Sequence, residues 1–444
     1  MMDNLGTMDR GAPHGAWRIE PAASPLGGDY QPPSDLIMTH LGLVLGSLTV
    51  GTTYLLGALE SPDTVATRRV LAHLGVSFTC DDDGWLAVSR QHDNLVQPQV
   101  ELDCGSSVTA LRLMAGLLCG QKFSSVLTAD GELSARPLTD LVMRLRQMGA
   151  QIDCLGGPGL PPLRIKGQPL YPVEIQLDSD SPEVRDPLLL AALNAAGACR
   201  FIELAPGPDH AERMLRHLGV SVRRSGLAIS MKGEQRLYPK RIKIPGDFTA
   251  AAPLVVGATL VKGSELTIVQ VGTNPGRAGL LKILSRIGGV VERQRTWQFG
   301  AEPVASFTIR SAAGLAAFNV APNLAQSLVD ELPLIALLAT QASGTSHIRG
   351  AGALRRGVPD CLELVSQILR SFGADVELEA DGLRIAGPTP LAGAEVQCAN
   401  DPRLVMLAAT AALIASSPST LHGADAMLDY YPSYFSDLSG AQMA

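Results

Sequence analysis

Two kinds of helical pattern alternate along the chain, and a glycine or another small residue closes each of them. The apolar kind is poor in charge, as in LRLMAGLLCG at 111–120 and LVMLAATAALIASS at 404–417. The amphipathic kind carries charged residues and ends in an apolar residue followed by glycine, at Gly75, Gly149, Gly219, Gly288 and Gly373. Glycine readily adopts the left-handed conformation that terminates helices. The alternation therefore predicts a repeat of apolar helix, strand, amphipathic helix and strand.

The spacing of these glycines indicates how many repeats there are. Successive intervals are 74, 70, 69 and 85 residues, so six units of about 70 residues account for nearly the whole chain. Strands are predicted where β-branched residues cluster, in SSVLTA, CRFIELA, ELTIVQV and TSHIRG. One such unit cannot bury both of its helices. We therefore expect an α/β protein of two lobes, each built from three units around its apolar helices.

A second internal similarity predicts where each lobe begins. PPSDLIMT at 32–39 and IPGDFTAA at 244–251 both place an aspartate directly before an apolar helix. Asp35 and Asp247 are predicted N-caps, because an aspartate side chain can accept the unpaired N–H groups of a helix start. We predict a flexible leader at 1–16, a first lobe at 33–245, and a second lobe formed by 17–32 and 246–444. Parallel apolar helices with their N-termini in a cleft would attract anions.

Composition narrows the class of protein. The chain has 444 residues with 36 Lys plus Arg against 43 Asp plus Glu, a net charge of −7 that disfavours nucleic acid as a partner. Residues 36–59 lack formal charge, but Gly, Ser and Thr interrupt them, so we predict a buried helix, a turn and a strand rather than a membrane span. Seven scattered cysteines predict neither a disulfide framework nor a metal site and favour the cytoplasm. No phosphate-binding glycine motif is present, so no cofactor is predicted.

From Trp17 onward the chain resembles the EPSP synthase family of enolpyruvyl transferases. The resemblance is carried by PAASPLGG (21–28), the segment 102–138 ending in ADGELSARPL, the segment 244–284 beginning IPGDFTAAAPL, DELPLIALLA (330–339) and YYPSYF (430–435). It implies a two-lobed enolpyruvyl transferase fold, an inside-out α/β barrel with three repeats per lobe. It also implies a cleft between the lobes, where phosphoenolpyruvate adds to a phosphorylated ring acid and phosphate is then eliminated.

Several positions depart from the pattern of that family. The resemblance implies cationic, acidic or phosphate-binding side chains, or a small turn residue, at positions that here carry Leu36, Ile37, Leu41, Val108, Pro182, Glu183, Gly357, Val358, Cys361, Pro402 and Asp429. The 7 lysines show the same trend, because none precedes Lys122 and none follows Lys282. Phosphate-bearing ligands need lysines and arginines for neutralisation. The departures therefore predict a less charged substrate.

The resemblance also defines the candidate site, although Ser106 stands where the family has an asparagine. The resemblance implies Asp330 as the catalytic proton acceptor, and it implies substrate binding by Arg136, Arg403, Ser106, Thr109, Ser181, Asp247 and Thr249. Each assignment has a structural alternative. The two arginines could serve packing, and Asp330 and Asp247 could be N-caps. His40 is expected to be a core histidine, and the arginines on the amphipathic helices are expected to form a solvated face.

Three functions follow from the partial match. The first is a divergent EPSP synthase-like enzyme that acts by addition and elimination, or elimination alone, on a shikimate-like or other small cyclic hydroxy acid in secondary metabolism. The second is a non-catalytic scaffold or binding protein, since the first lobe begins with an aliphatic helix. The third is the family's own transfer to shikimate 3-phosphate. The expected ligand is a small anionic or cyclic carboxylic acid in the cleft, with a protein partner left open.

Overall fold

The computed structural model describes residues 16–90, 92, 94–177, 182–356 and 359–441. Its strands are β1 Ala16–Ile19, β2 Gly27–Tyr30, β3 Thr53–Leu56, β4 Val76–Cys80, β5 Trp85–Arg90, β6 Leu102–Asp103, β7 Ser124–Thr128, β8 Gln151–Cys154, β9 Leu163–Lys166, β10 Glu174–Gln176, β11 Ala198–Ile202, β12 Val222–Ser225, β13 Ala228–Lys232, β14 Arg241–Lys243, β15 Glu265–Gly272, β16 Val290–Phe299, β17 Glu302–Arg310, β18 Leu315–Ala316, β19 Asn319–Val320, β20 Ala342–Arg349, β21 Asp375–Glu379, β22 Gly382–Gly387, β23 Glu395–Gln397 and β24 Ser419–His422.

Its α-helices are α1 Leu36–Ser47, α2 Pro62–His73, α3 Val108–Cys119, α4 Thr139–Gln147, α5 Arg185–Ala192, α6 His210–His217, α7 Phe248–Leu260, α8 Gly279–Ile287, α9 Pro322–Ala325, α10 Leu332–Thr340, α11 Cys361–Ser371, α12 Pro402–Leu413, α13 Ala426–Tyr430 and α14 Tyr434–Gly440. Short 3₁₀ helices cover Gly131–Ala135, Pro182–Val184, Gln326–Leu328 and Gly352–Arg356. The four strands and the helix–turn–strand over 36–59 that the sequence predicted are confirmed. No helix of the described ranges is long and apolar enough to cross a membrane.

The described residues form two compact units. The first unit contains residues 34–245 and 298–302, and the second contains 16–33, 246–297 and 303–441. Two backbone hydrogen bonds lie where the chain passes from one unit to the other: Asp35 N donates to Pro245 O (2.9 Å) and Asp247 N donates to Pro33 O (2.7 Å). The predicted leader lies outside the described residues, apart from Ala16, which begins β1.

Six sheets of the described chain share one strand arrangement, which accounts for the six sequence repeats. The first unit holds β14-β3-β5-β4, β6-β7-β9-β8 and β10-β11-β13-β12, and the second holds β2-β15-β17-β16, β18-β20-β22-β21 with β19 also on β20, and β23-β24-β1. In each of these strand orders, the first and second strands are parallel and the second and third strands are antiparallel. The N-terminal strands β1 and β2 complete sheets of the second unit.

Each unit has its own hydrophobic core, built around its three apolar helices. In the first unit these are α1, α3 and α5, and in the second they are α7, α10 and α12. Nearly every residue of these helices is buried, which is why their sequences lack an amphipathic period. In the first unit, α3 lies so close to α5 that a Cβ on Gly116 would stand 2.1 Å from the carbonyl oxygen of Pro187. Close helix packing therefore requires a glycine there.

The glycines that close the amphipathic helices confirm the repeat. All five have positive φ, between 84° and 99°. After α4, Gly149 N donates to Arg146 O and Ala150 N donates to Leu145 O, the hydrogen-bond pattern of a Schellman motif. Gly219 closes α6 at the corresponding place in the next repeat, and a side chain there would also collide with Tyr238. Glycine is thus required both by backbone conformation and by space.

The exposed positions of Arg69, Arg146 and Arg216 confirm the predicted solvated face, and two of these arginines also bond to the strand that follows. Arg146 Nη2 donates to Ile152 O (2.5 Å) and Arg216 Nε donates to Val222 O (3.1 Å), each reaching the strand that follows its helix. Arg370 Nε makes the same bond to Val376 O (2.7 Å) in a third repeat. These bonds form because the sharp glycine turn brings the next strand's carbonyl groups back alongside the last turn of the helix. These arginines join each helix to its strand.

Candidate active site

In the first unit, candidate residues gather at the beginning of α3. Ser107 caps this helix by accepting a hydrogen bond from Ala110 N (3.1 Å), which leaves Ser106 exposed just before it. A cavity of about 450 Å³ opens here, lined by Ser106, Val108, Asp130, Gly131, Leu133 and Arg136. The structure thus brings the predicted Ser106 and Arg136 together. The predicted Thr109 is half-buried and is not among the residues that line the cavity.

The wall of this cavity carries both signs of charge and an apolar patch. Arg136 and Asp130 are both exposed, while Val108 is half-buried and Leu133 is buried. A guanidinium can hold a carboxylate through two parallel N–H bonds, whereas an aspartate on the same wall repels additional negative charge. The cavity is therefore suited to a ligand with one carboxylate and an apolar body.

The beginning of α1 has no cationic side chain. Asp35 caps the helix by accepting from Met38 N (2.8 Å), which confirms the predicted cap, and the half-buried Leu36 and Ile37 follow it. His40 is fully buried and its Nδ1 lies 2.8 Å from Thr67 Oγ1, as expected of a core histidine. Burial lowers the pKa of His40 to about 3, so the imidazole is neutral near pH 7.

Among the described residues at the beginning of α5 there is little free positive charge. Arg185 is buried, and its Nη1 donates to Glu203 (2.9 Å) while its Nε donates to Asp186 (2.8 Å). The nearby Glu183 is exposed, with an oxygen 3.9 Å from Arg112 Nη1. The predicted Ser181 lies outside the described residues, as do Gly357 and Val358.

In the second unit, the beginnings of the three apolar helices lie side by side. Thr249 Oγ1 at the start of α7 donates to Glu331 Oε1 just before α10 (2.5 Å). Arg403 Nη1 at the start of α12 lies 3.9 Å from Asp330 Oδ1, also just before α10. The N-terminal ends of helices carry partial positive charge, which favours carboxylates. Convergence of helix N-termini, which the sequence could only suggest, is therefore present within this unit.

Asp247 and Thr249 belong to a buried network at the start of α7. Asp247 accepts from Thr249 N (2.8 Å) and Ala250 N (3.4 Å), which confirms it as an N-cap. Arg277 Nη2 donates to Thr249 Oγ1 (2.7 Å) and lies 3.4 Å from Asp247 Oδ1, and Tyr430 OH donates to the other Asp247 oxygen (3.4 Å). Both side chains are buried, so their positions do not show a contact with a ligand. Direct substrate binding by Asp247 and Thr249 stays a prediction.

Arg403 is bound to the aspartate that caps its own helix. Its Nε donates to Asp401 Oδ1 (3.0 Å) and its Nη2 donates to Asp401 Oδ2 (2.6 Å), a forked pair that leaves 28% of the arginine side chain exposed. Burial alone would raise the pKa of Asp401, but the hydrogen bonds and charge of Arg403 outweigh it and the pKa is lowered. The neighbouring Cys361 has its pKa raised to about 12, mainly by burial, so it is a neutral thiol.

Asp330 is the accessible carboxylate of this group. Its side chain is 48% exposed, so it can contact a ligand, whereas the adjacent Glu331 is 1% exposed. The alternative that Asp330 caps α10 is wrong: Glu331 occupies the cap position, and neither side chain makes a capping bond. Pro333 at the second helical position was the sequence signal for this helix start.

Besides Arg277, Glu331 is a residue of this site that the sequence interpretation missed. Burial raises its pKa to about 7, although the charge of Arg277 and the hydrogen bond from Thr249 act in the opposite direction. Asp330 and Asp247 add to the increase through their negative charge. Nothing in the sequence DELP distinguishes an exposed from a buried acid, because burial here depends on the packing of α7 against α10.

Comparison with known proteins identifies the family. Residues 21–438 match the family model described as EPSP synthase (3-phosphoshikimate 1-carboxyvinyltransferase). The 3-phosphoshikimate 1-carboxyvinyltransferase of Streptococcus equi subsp. zooepidemicus is 37% identical over 424 residues, which cover 95% of this chain and 98% of the relative. The enzyme of the same name from Halorhodospira halophila is 37% identical over 420 residues, 94% of each chain.

Solved structures agree with this assignment. EPSP synthase from Acinetobacter baumannii aligns with a TM-score of 0.88 at 32% identity and covers 97% of this chain and 99% of its own. The enolpyruvyl transferase NikO from Streptomyces tendae aligns with a TM-score of 0.76 at 17% identity, covering 97% and 98%, and so shares the fold. The chain has the enolpyruvyl transferase fold and belongs to the EPSP synthase family.

Proposed function

We propose that this protein is an enzyme that acts on a shikimate-like cyclic hydroxy acid by addition and elimination, or by elimination alone. Asp330 accepts the proton from the reacting group, and Arg403 beside it offers a guanidinium to a ligand carboxylate. In the first unit, Arg136 offers a guanidinium to a carboxylate in the cavity at the start of α3. The membership in a family of transferases supports catalysis. A place in secondary metabolism stays a prediction.

The observation that carries the proposal is the shortage of unneutralised positive charge around the candidate residues that the structure describes. The helix α1 begins with Leu36 and Ile37, and its His40 is neutral. In the second unit, Arg277 and Arg403 already face Asp247 and Asp401. Losing a partner of a desolvated charge costs about 2 to 5 kcal/mol, so ligands that bring several phosphate charges would bind weakly here.

The remaining groups suit a ligand with a single carboxylate. Arg403 keeps part of its guanidinium exposed and can take a second carboxylate while Asp401 holds it in place. Asp330 lies next to it, half-exposed, and can accept a proton from a hydroxyl or from carbon as a leaving group departs. Within the second unit, one base beside one carboxylate-binding arginine can take the proton in an elimination: the C–H electron pair forms the double bond and the leaving group departs with its own electron pair as an anion.

A second candidate is the reaction for which the relatives are named, transfer of a carboxyvinyl group to 3-phosphoshikimate. The 37% identity over 95% of the chain favours it. It needs phosphoenolpyruvate and shikimate 3-phosphate to bind despite the aliphatic start of α1.

Calorimetry separates the two candidates. We expect shikimate or chorismate to bind more tightly than phosphoenolpyruvate and shikimate 3-phosphate, and we expect Arg403→Leu to abolish that binding. Asp330→Asn should retain binding but lose turnover, whereas Asp375→Asn, which changes an exposed aspartate on β21, should retain both. Tight binding and turnover of both phosphorylated ligands would establish the second candidate instead. Absence of binding by all four ligands would favour a non-catalytic scaffold.

A further inference from the structure

Glu331 and Asp330 are neighbours in the chain but lie in opposite environments. The Asp330 side chain is 48% exposed and the Glu331 side chain is buried against α7. Their Cα atoms are about 3.8 Å apart by covalent geometry, so whatever fixes Glu331 also fixes the backbone that carries Asp330. The backbone of Glu331 is itself held, because its N–H donates to Leu328 O (2.9 Å) and its carbonyl accepts from Ile335 N (2.9 Å).

A chain of hydrogen bonds joins Glu331 to the start of α7. Arg277 Nη2 donates to Thr249 Oγ1 (2.7 Å), and Thr249 Oγ1 donates to Glu331 Oε1 (2.5 Å). The Arg277 side chain is 15% exposed and Thr249 is buried, so water competes weakly for these bonds. This connection links the helix α7 to the segment that presents Asp330.

We propose that Glu331 is a positioning residue: its hydrogen bond from Thr249, supported by Arg277, latches the start of α10 to the start of α7 and so fixes Asp330, and loss of the Glu331 proton weakens this latch because the charged carboxylate is buried. The inference rests on the proposed use of Asp330 as the reacting carboxylate. Glu331 does not contact the ligand; it acts through the backbone of its neighbour.

The charges around Glu331 determine the direction of the pH response. The ionisable groups that face it, directly or through its partners, are Arg277, Asp330, Asp247, Tyr430, Arg403 and Asp401. When the latch opens, Glu331 regains water and an ordinary pKa near 4.5, against about 7 when buried. Between these values the closed form holds a proton that the open form has lost. Raising the pH through this window therefore favours opening, and above about 7 there is no further change.

Amide hydrogen exchange of the full-length protein tests the latch without any ligand. The reporter is the amide of Ile335, which is bonded to Glu331 O. After correction for intrinsic exchange, we expect its protection in the wild type to fall by up to about tenfold per pH unit between pH 5 and 7. Glu331→Gln should abolish this slope. The control Glu377→Gln changes an exposed glutamate of the same unit and should leave the slope unchanged.

A slope shared by the wild type and Glu331→Gln would overturn the proposal. If Glu331→Gln does not fold, Thr249→Ser and Thr249→Val decide the question, because only serine keeps the hydroxyl. We expect Ile335 protection to be retained in the serine variant and lost in the valine variant, and equal protection in both would contradict the latch. Since exchange requires no substrate, a failed latch and a failed ligand assignment give separate results.

Discussion

The helices α1 and α7 occupy corresponding places in the two units, yet their first turns have different chemistry. Both begin after a buried aspartate cap, Asp35 or Asp247. The described bond from the Asp35 side chain is to its own helix, whereas Asp247 also contacts Arg277 and Tyr430. The repeat preserves the cap because a helix start needs one in either unit. The comparison shows that the fold fixes the backbone of a helix start and leaves its charge free to change.

Removal of the two caps should have unequal effects. We expect Asp35→Ala to lower the free energy of unfolding by about 1 kcal/mol, the usual loss for an N-cap. Asp247→Ala should cost roughly 3 kcal/mol, because it also removes a carboxylate beside the largely buried Arg277. Urea unfolding at pH 7 measures both. Asparagine at each position keeps the cap, so only Asp247→Asn should still be destabilising. Equal losses for the two alanine variants would contradict the comparison.

Variants of Arg403 test how much the ion pair at the start of α12 contributes to stability. Arg403→Leu should lower the free energy of unfolding by about 2 kcal/mol, because it leaves the partly buried Asp401 without its forked partner. Arg403→Lys keeps the charge but cannot donate two parallel bonds, so its loss should be smaller. Urea unfolding again provides the measurement. An unchanged stability for Arg403→Leu would mean that water replaces the guanidinium at no cost.

Restoring a cation at α1 should have the smallest effect on stability and the most informative effect on binding. Leu36→Lys places a positive charge at a helix N-terminus, which should cost about 0.5 kcal/mol. Calorimetry with shikimate 3-phosphate should show tighter binding than in the wild type. Val50→Lys adds the same charge at an exposed position of the same unit and serves as the control. Unchanged binding in Leu36→Lys would show that the aliphatic helix start is not what excludes phosphate.

The repeats, the strands and both aspartate caps could be predicted because each depends on local rules. A glycine with positive φ, such as Gly149, is required by its own backbone, and Asp247 caps the residues that directly follow it. The burial and the bonding partners of the side chains in the site could not be predicted in the same way. The burial of Glu331 depends on Thr249, 82 residues away, and the strand contact of Arg146 depends on a sharp turn. Side chains whose partners lie on other elements need the packed structure.

The two backbone bonds at the unit boundary have a consequence for how the gene can be rearranged. The ends of the segment 34–245 meet at a hydrogen bond between Asp35 and Pro245, and the flanking segments meet at another between Pro33 and Asp247. The first unit is thus an insertion with joined ends, apart from the five residues 298–302. A short linker could replace it, or new termini could be opened within it, with little strain on either backbone. Excision of this kind would let each lobe be expressed, labelled and evolved on its own.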